Sequence, residues 1–206
     1  MVGAKKEMTN IDEMVKLLED ADVKGAVYLA SKLEESEKDK AVELLNDNAI
    51  IIARDMKSYT DAFYMLKMAM KLRPDNPITH FNMGVLLSEL DLVIKSPNAL
   101  KEAEKEYREA IRLKSDYLEA HYNLAAILTD QGKYEEAEKE YREAIKINSN
   151  HAESHYNLGI ILAGESRGSE AEKEFKKALE LKPEFRERHE KWVNSLKEKL
   201  KEEKKK

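Results

Sequence analysis

Cysteine is absent from the 206 residues, which excludes disulfides, thiolate metal sites and cysteine nucleophiles. Glycine and proline are scarce, at seven and four, too few for a turn-rich β fold. No apolar run reaches the roughly 18 residues that a membrane-spanning helix needs. The start, MVGAKKEMTN, also lacks the apolar core of a secretory signal. A soluble, cytoplasmic protein with no membrane partner is therefore expected. Positive charge is not in excess either. With a net charge of −5 the chain has no general attraction for phosphate, and nucleic acid is not an expected partner. The closing KEEKKK suits a fraying helix C-terminus.

What is present points to helices. Ala, Glu, Lys and Leu dominate, and 37% of the residues are charged, as on ion-paired helical surfaces. Apolar residues make up 42%, enough to line a continuous seam. The ten residues Glu102 to Ile111, EAEKEYREAI, recur unchanged as Glu136 to Ile145 at an offset of 34. A near copy, EAEKEFKKAL, follows at Glu170 to Leu179, again 34 residues on. That period marks a stack of helical hairpins, each too small to bury its apolar face alone.

One hairpin can be read directly from Leu118 to Ser149. His121, Leu124, Ala125 and Leu128 fall on one helical face, Gln131-Gly132-Lys133 makes the turn, and Ala137, Tyr141 and Ala144 share the returning face. The next copy uses His155, Leu158, Gly159 and Leu162, a turn at Gly164 to Gly168, then Ala171, Phe175 and Ala178. Ala125, Gly159, Ala137 and Ala171 are small enough for close helix approach, and exchanging one for Leu is expected to be damaging.

At these residues the chain resembles the tetratricopeptide repeat, with His155, Leu158-Gly159, Leu162, Ala171, Phe175 and a closing Pro183 in the family's order. His stands where the family usually has Trp, and the preceding copy closes on Ser149 rather than Pro. An upstream copy runs through His80, Met83, Gly84 and Leu87 to Ala103, Tyr107 and Ala110, at an offset of 41. Its seven extra residues amount to about two helical turns. They imply either two longer helices meeting near Lys95, with Ser96 as N-cap, Pro97 at the first helical position and Leu90, Val93 and Ile94 packing on Leu100, or a projecting apolar tip for a partner. A degenerate copy precedes it, through Asn46, Ala49, Ile50, Ala53, Ala62, Leu66, Ala69 and Pro74.

The organisation expected is thus a helical pair over 1–40, near Ile11 to Glu19 and Val23 to Glu37, capping the N-terminal end. Four repeats follow over 41–183, the first degenerate and the second carrying the insertion. Residues 184–206 then form a C-terminal capping helix with Phe185, His189, Trp192, Leu196 and Leu200 on one stripe, ending in a frayed tail. The fold expected is an all-α right-handed superhelix of tetratricopeptide type, its handedness implied by the resemblance.

Catalysis is not expected. Gly164-Glu165-Ser166-Arg167-Gly168 fits the nucleophile-elbow pattern of serine hydrolases, with Glu187 and His189 as conceivable partners, but that elbow needs a strand leading into a helix. His80, His121, His155 and His189 hold one place in successive copies, which suggests either a metal or pH-sensing stripe or buried packing residues. Equivalent residues on stacked hairpins stand ~8–10 Å apart, too far to share an ion bound at ~2 Å, so neither metal nor cofactor is expected. His151 lies between copies.

Asn48, Asn82, Asn123 and Asn157 form a ladder on the first helix of each copy. In the resembled family this helix lines a concave groove, where such asparagines bond the backbone of an extended peptide, since an amide both donates and accepts. Phe81, Tyr122 and Tyr156, with Val85, Ala126 and Ile160 a turn further on, would supply side-chain pockets. Alternatively the same residues brace neighbouring hairpins. Glu119, Glu153 and Glu187 along one edge favour a neutral or basic segment. The resemblance therefore implies a non-enzymatic scaffold, with self-association through the terminal hairpins or Val93 and Ile94 as the alternative.

One subclass of the family clamps the terminal carboxylate of heat-shock chaperone tails with two asparagines plus lysine and arginine. Asn82 and Asn123 match the asparagines, but Ile78 stands at the first lysine, and Glu153 and Asn157 at the later basic pair. Shifting by one copy puts Glu119 at the first and Glu187 and Lys191 at the last. An acidic C-terminal peptide should accordingly show no micromolar affinity by fluorescence anisotropy; measurable binding would refute this reading of the charges.

Overall fold

The computed structural model describes residues 9–55, 57–94 and 97–203, without the side chains of 91–94, 97 and 196–203. It is all-α, with no strand among the described residues. The chain divides into two compact units, one up to Asp116 and one from Tyr117 onward. The first holds α1 (Asn10–Glu19), α2 (Val23–Ala30), a 3-10 turn (Glu35–Glu37), α3 (Lys38–Asp55), α4 (Tyr59–Leu72), α5 (Pro77–Ile94) and α6 (Pro97–Leu113). The second holds α7 (Leu118–Asp130), α8 (Tyr134–Ile147), α9 (Ala152–Gly164), α10 (Gly168–Leu181) and α11 (Phe185–Glu203).

Helices pair as α3 with α4, α5 with α6, α7 with α8, and α9 with α10. Within the units α4 also packs on α5, and α8 on α9. The seams of the last three hairpins share one repeated feature. Tyr107, Tyr141 and Phe175 of their second helices are at least nine-tenths buried. A Cβ added at Gly84 would lie 2.7 Å from the Tyr107 ring, and one at Gly159 2.8 Å from Phe175, so a larger side chain at either would push the helices apart.

The insertion lengthens both helices of its hairpin, to 18 residues in α5 and 17 in α6 against 13 and 14 in α7 and α8. Pro97 opens α6 at the first position, where its missing N–H costs nothing. The Ser96 cap, the turn at Lys95 and the apolar contacts assigned to Val93, Ile94, Leu196 and Leu200 lie outside the described residues.

The N-terminal pair departs from expectation in its second member, which stops at Ala30 instead of running to Glu37. The Ser31 hydroxyl donates to the Tyr28 carbonyl at 2.6 Å, competing with helix continuation. Leu33 then turns into the core, and Glu37 accepts from the Glu34 N–H to start the 3-10 turn. Thr9 and Asp12 cap α1 reciprocally.

Two hairpin turns share a register but not a residue. Gly132 sits at φ +74° between α7 and α8, and Ser166 holds the equivalent place between α9 and α10 at φ 63°. A left-handed residue with a Cβ is strained by about 1–2 kcal/mol. Ser166→Gly should therefore raise stability by up to about 1 kcal/mol once the added freedom of the unfolded chain is offset. The check is the denaturant midpoint at unchanged m-value; a lowered midpoint would mean that the turn is not strained.

Candidate functional site

Each first helix spends one face on its hairpin partner and turns the adjoining face away from it. On α3 this second face carries Leu44, Asn48 and Ile51, and on α5 the matching Ile78, Asn82 and Val85. Ile51 and Ile78 are 53% and 50% exposed, among the few large apolar side chains so open to solvent. Asp55 and Glu89 continue the two stripes at their C-terminal ends, one turn beyond Ile51 and Val85. In the second unit the equivalent stripes are Glu119, Asn123 and Ala126 on α7, and Glu153, Asn157 and Ile160 on α9.

The asparagines are not alike. Asn48 donates to the Leu44 carbonyl of its own helix at 2.9 Å. Asn82 donates to Asn46 Oδ1 at 3.1 Å, and Asn46, nearly fully buried, donates in turn to Thr79 Oγ1 at 2.8 Å, so these three side chains tie α3 to α5. Asn157 reaches the hydroxyls of Tyr122 and Tyr141, at 3.4 and 3.3 Å, linking α9 to both helices of the hairpin before it. Burial pushes the Tyr141 phenol up to about 12, which keeps that hydroxyl neutral and able to share its proton. Asn123 is half-buried on α7. The amides of Asn82 and Asn157 thus brace neighbouring helices.

The aromatic positions also divide. Phe81 and Tyr122 are half-buried, with ring centroids 5.8 and 6.0 Å from Tyr107 and Tyr141. Tyr156 was expected at the groove wall but is fully buried, its ring edge-on to Phe175 and Phe185 at 5.4 and 5.3 Å. The cause is α11, whose first turn covers it. The acidic edge is likewise weaker than expected. Glu153 is paired with Lys182 and Glu187 with Lys191, leaving Glu119 exposed on α7. Leu44 and Ile51 were missed; the offset of 34 from Ile78 and Val85 would have found them.

The histidines lie inside the hairpins. His80, His121 and His155 are buried, and each places Nδ1 2.5–2.6 Å from a second-helix carboxylate, Glu106, Glu140 and Glu174 in turn. His80 also donates through Nε2 to the Pro74 carbonyl at 2.9 Å. Glu106 holds the His80 imidazolium above the usual histidine range against the opposing effect of burial, with the Pro74 carbonyl assisting. His151, expected in a loop between copies, is the N-cap of α9: its Nδ1 accepts the Ser154 N–H at 3.3 Å, and burial pushes its pKa down. No group of three or more His, Asp or Glu among the described residues has a geometry that could hold a metal. Ser166 is exposed in a turn between two helices, Glu187 faces Lys191, and His189 packs on Phe175, which is not the strand-borne elbow of a hydrolase.

Comparison with known proteins agrees with this architecture. A TPR-repeat model matches residues 125–164, and a tetratricopeptide-repeat model residues 152–185. A crystal structure of MamA protein superposes with a TM-score of 0.62 at 23% identity, over 85% of this chain and 91% of that one. YrrB, a TPR protein with an unusual peptide-binding site, gives 0.60 at 20% identity, over 84% and 85%. MamA 41-end from Desulfovibrio magneticus RS-1 gives 0.61 at 17%, over 85% and 94%. No curated protein matches by sequence. At these identities the structural likeness establishes the fold.

A raised folded-state pKa at His80 stabilises the protein fully below its unfolded value of ~6.5, and that stability is lost as pH climbs through the higher folded value. The lowered groups His151 and His189 act on the other side, their effect being lost as pH falls below ~6.5. Above neutrality the His80–Glu106 pair is therefore separable. The melting temperature should fall from pH 6.5 to 8.5 and fall less in His80→Gln; parallel profiles would assign the loss elsewhere.

Proposed function

From a chain that tetratricopeptide-repeat models match over residues 125–185, we propose a non-enzymatic scaffold that holds an extended segment of another protein against its first-helix faces. The observation that carries this is the pair Ile51 and Ile78, half-exposed on adjacent helices of the first unit, with Leu44 and Val85 alongside. Burying the exposed half of each side chain stabilises a complex by about 1 kcal/mol apiece before the cost of ordering the ligand. Asn48 supplies an amide on the same stripe whose oxygen can accept from a peptide N–H. Asp55 and Glu89 at the stripe ends favour a segment in which apolar residues are followed by a basic one.

The second unit carries a first-helix face of its own, with Asn123, Tyr122 and Ile160 on it and Glu119 as its exposed acid. Its pairing of Glu153 with Lys182 reduces the selection for basic ligands there, so charge preference rests chiefly on the first unit. The helices α1, α2 and α11 act as caps within their own units in this reading, closing apolar seams rather than contacting the ligand.

The decisive variants are at Ile51 and Ile78, because replacing Asn82 or Asn157 would break internal braces as well. An Ile51→Ser, Ile78→Ser protein should keep the native helicity and lose a partner that the native chain retains from a lysate of the source organism. Identification is by mass spectrometry. Identical partner sets on both proteins would sink the proposal, and a partner lost only above about 0.3 M salt would shift its weight from apolar contacts to charge.

A further inference from the structure

The last helix keeps the register of a first helix. His189, Trp192 and Val193 stand 34 residues after His155, Leu158 and Gly159. In the three earlier cases the histidine Nδ1 meets a glutamate on the helix that follows, whereas His189 Nδ1 is buried with no hydrogen-bond partner among the described residues. Beside it a cleft of about 550 Å³ opens between α10 and α11, with Phe175, Leu179 and His189 along it and Glu172 and Lys176 among its charged lining.

The preceding hairpin shows what fits such a place. There the equivalents of Glu172 and Lys176 are Glu138 and Arg142, and both are engaged by the next second helix. Arg167 donates to both Glu138 oxygens at 2.8 and 2.9 Å, Arg142 faces Glu170 at 3.6 Å, and Glu174 meets His155 at 2.5 Å. Three polar contacts thus seat α10, and their three counterparts, Glu172, Lys176 and His189, all face the cleft. We propose that the cleft between α10 and α11 is a docking seat for an amphipathic helix of a partner protein. The seat selects a basic residue with glutamates three and seven positions later and alanines four and eleven positions later.

One position distinguishes the incoming helix from the chain's own second helices. Val193 replaces the small residue on which Tyr107 and Phe175 rest. Since even a bare Cβ at Gly84 or Gly159 would come within 2.7 or 2.8 Å of those rings, a valine there leaves no room for an aromatic. The docking helix therefore carries a small residue at the eighth position after its basic one. This bars another second helix of the same type from the seat and gives the site its selectivity.

The lone tryptophan, Trp192, stacks on His189 with centroids 5.8 Å apart and reports occupancy directly. The probe is a labelled synthetic peptide copying residues 166–181 with Phe175→Ala, titrated into the full chain by anisotropy and Trp192 emission. Saturable binding is expected, weakened about tenfold or more by Glu174→Gln in the peptide and less than about twofold by Glu180→Gln. Lys176→Glu in the protein, at an exposed site that leaves the core intact, should weaken binding and be rescued by Glu170→Lys in the peptide. Absence of binding, equal affinity for the two Gln peptides, or failure of the charge swap would overturn the proposal. So would a dimer in sedimentation whose dissociation by Lys176→Glu showed the occupant to be a second copy.

Discussion

Close approach of the two helices in each hairpin is the constraint on which the rest of the molecule depends. In the last three hairpins it is met with one large buried ring, Tyr107, Tyr141 or Phe175, and Tyr107 and Phe175 rest directly on glycines, Gly84 and Gly159. Truncating such a ring costs about 3–5 kcal/mol, whereas the exposed Glu–Lys and Glu–Arg pairs that cover the second helices contribute about 0–1 kcal/mol each. The fit therefore sets the geometry, and the charged surface follows it. Because the fit consumes one face of every first helix, it also decides which face is left over. That remaining face carries Leu44, Asn48, Ile51, Ile78 and Val85 in the first unit.

Polar groups inside the hairpins are arranged by the same repeat. Glu106, Glu140 and Glu174 sit one residue before the packed ring, which aims each carboxylate at the histidine across the seam. The degenerate hairpin dispenses with this pair. Asn46 takes the histidine's place and bonds sideways to Thr79 and Asn82, while Met65, fully buried, stands where the glutamate would be. A buried histidine–glutamate pair within one hairpin is thus replaced by an amide link to the next. Exchanging both members together leaves no buried charge or polar group stranded at that seam, which a half-exchanged pair would do.

Much of the fold was legible because its signals are local. The 34-residue period, the ring-on-small-residue pattern and the punctuation by Gly132 and Pro97 each fix structure within one hairpin. The stop of α2 at Ala30 was not legible, since Ser31 and Leu33 do not break a helical pattern by themselves and Leu33 turns inward only against its neighbours. The site was less readable than the fold for a related reason. The register placed Asn82, Asn157 and Tyr156 on the correct helices, but not their partners, which come from residues 16 to 36 positions away. Ile51 and Ile78 became conspicuous only through their exposure. His189 could be aligned with its counterparts from sequence, yet its unmet Nδ1 depends on what packs against α11.

The central claim is that the first-helix face left free by hairpin packing is where another protein binds. Site-specific photocrosslinking tests it most directly, with a photoreactive residue placed at Ile78 on that face or at Tyr64, 58% exposed on the second helix α4. In a lysate of the source organism, position 78 should give a discrete covalent adduct with one protein and position 64 none. Adducts from position 64 alone, or equally from both, would contradict the account.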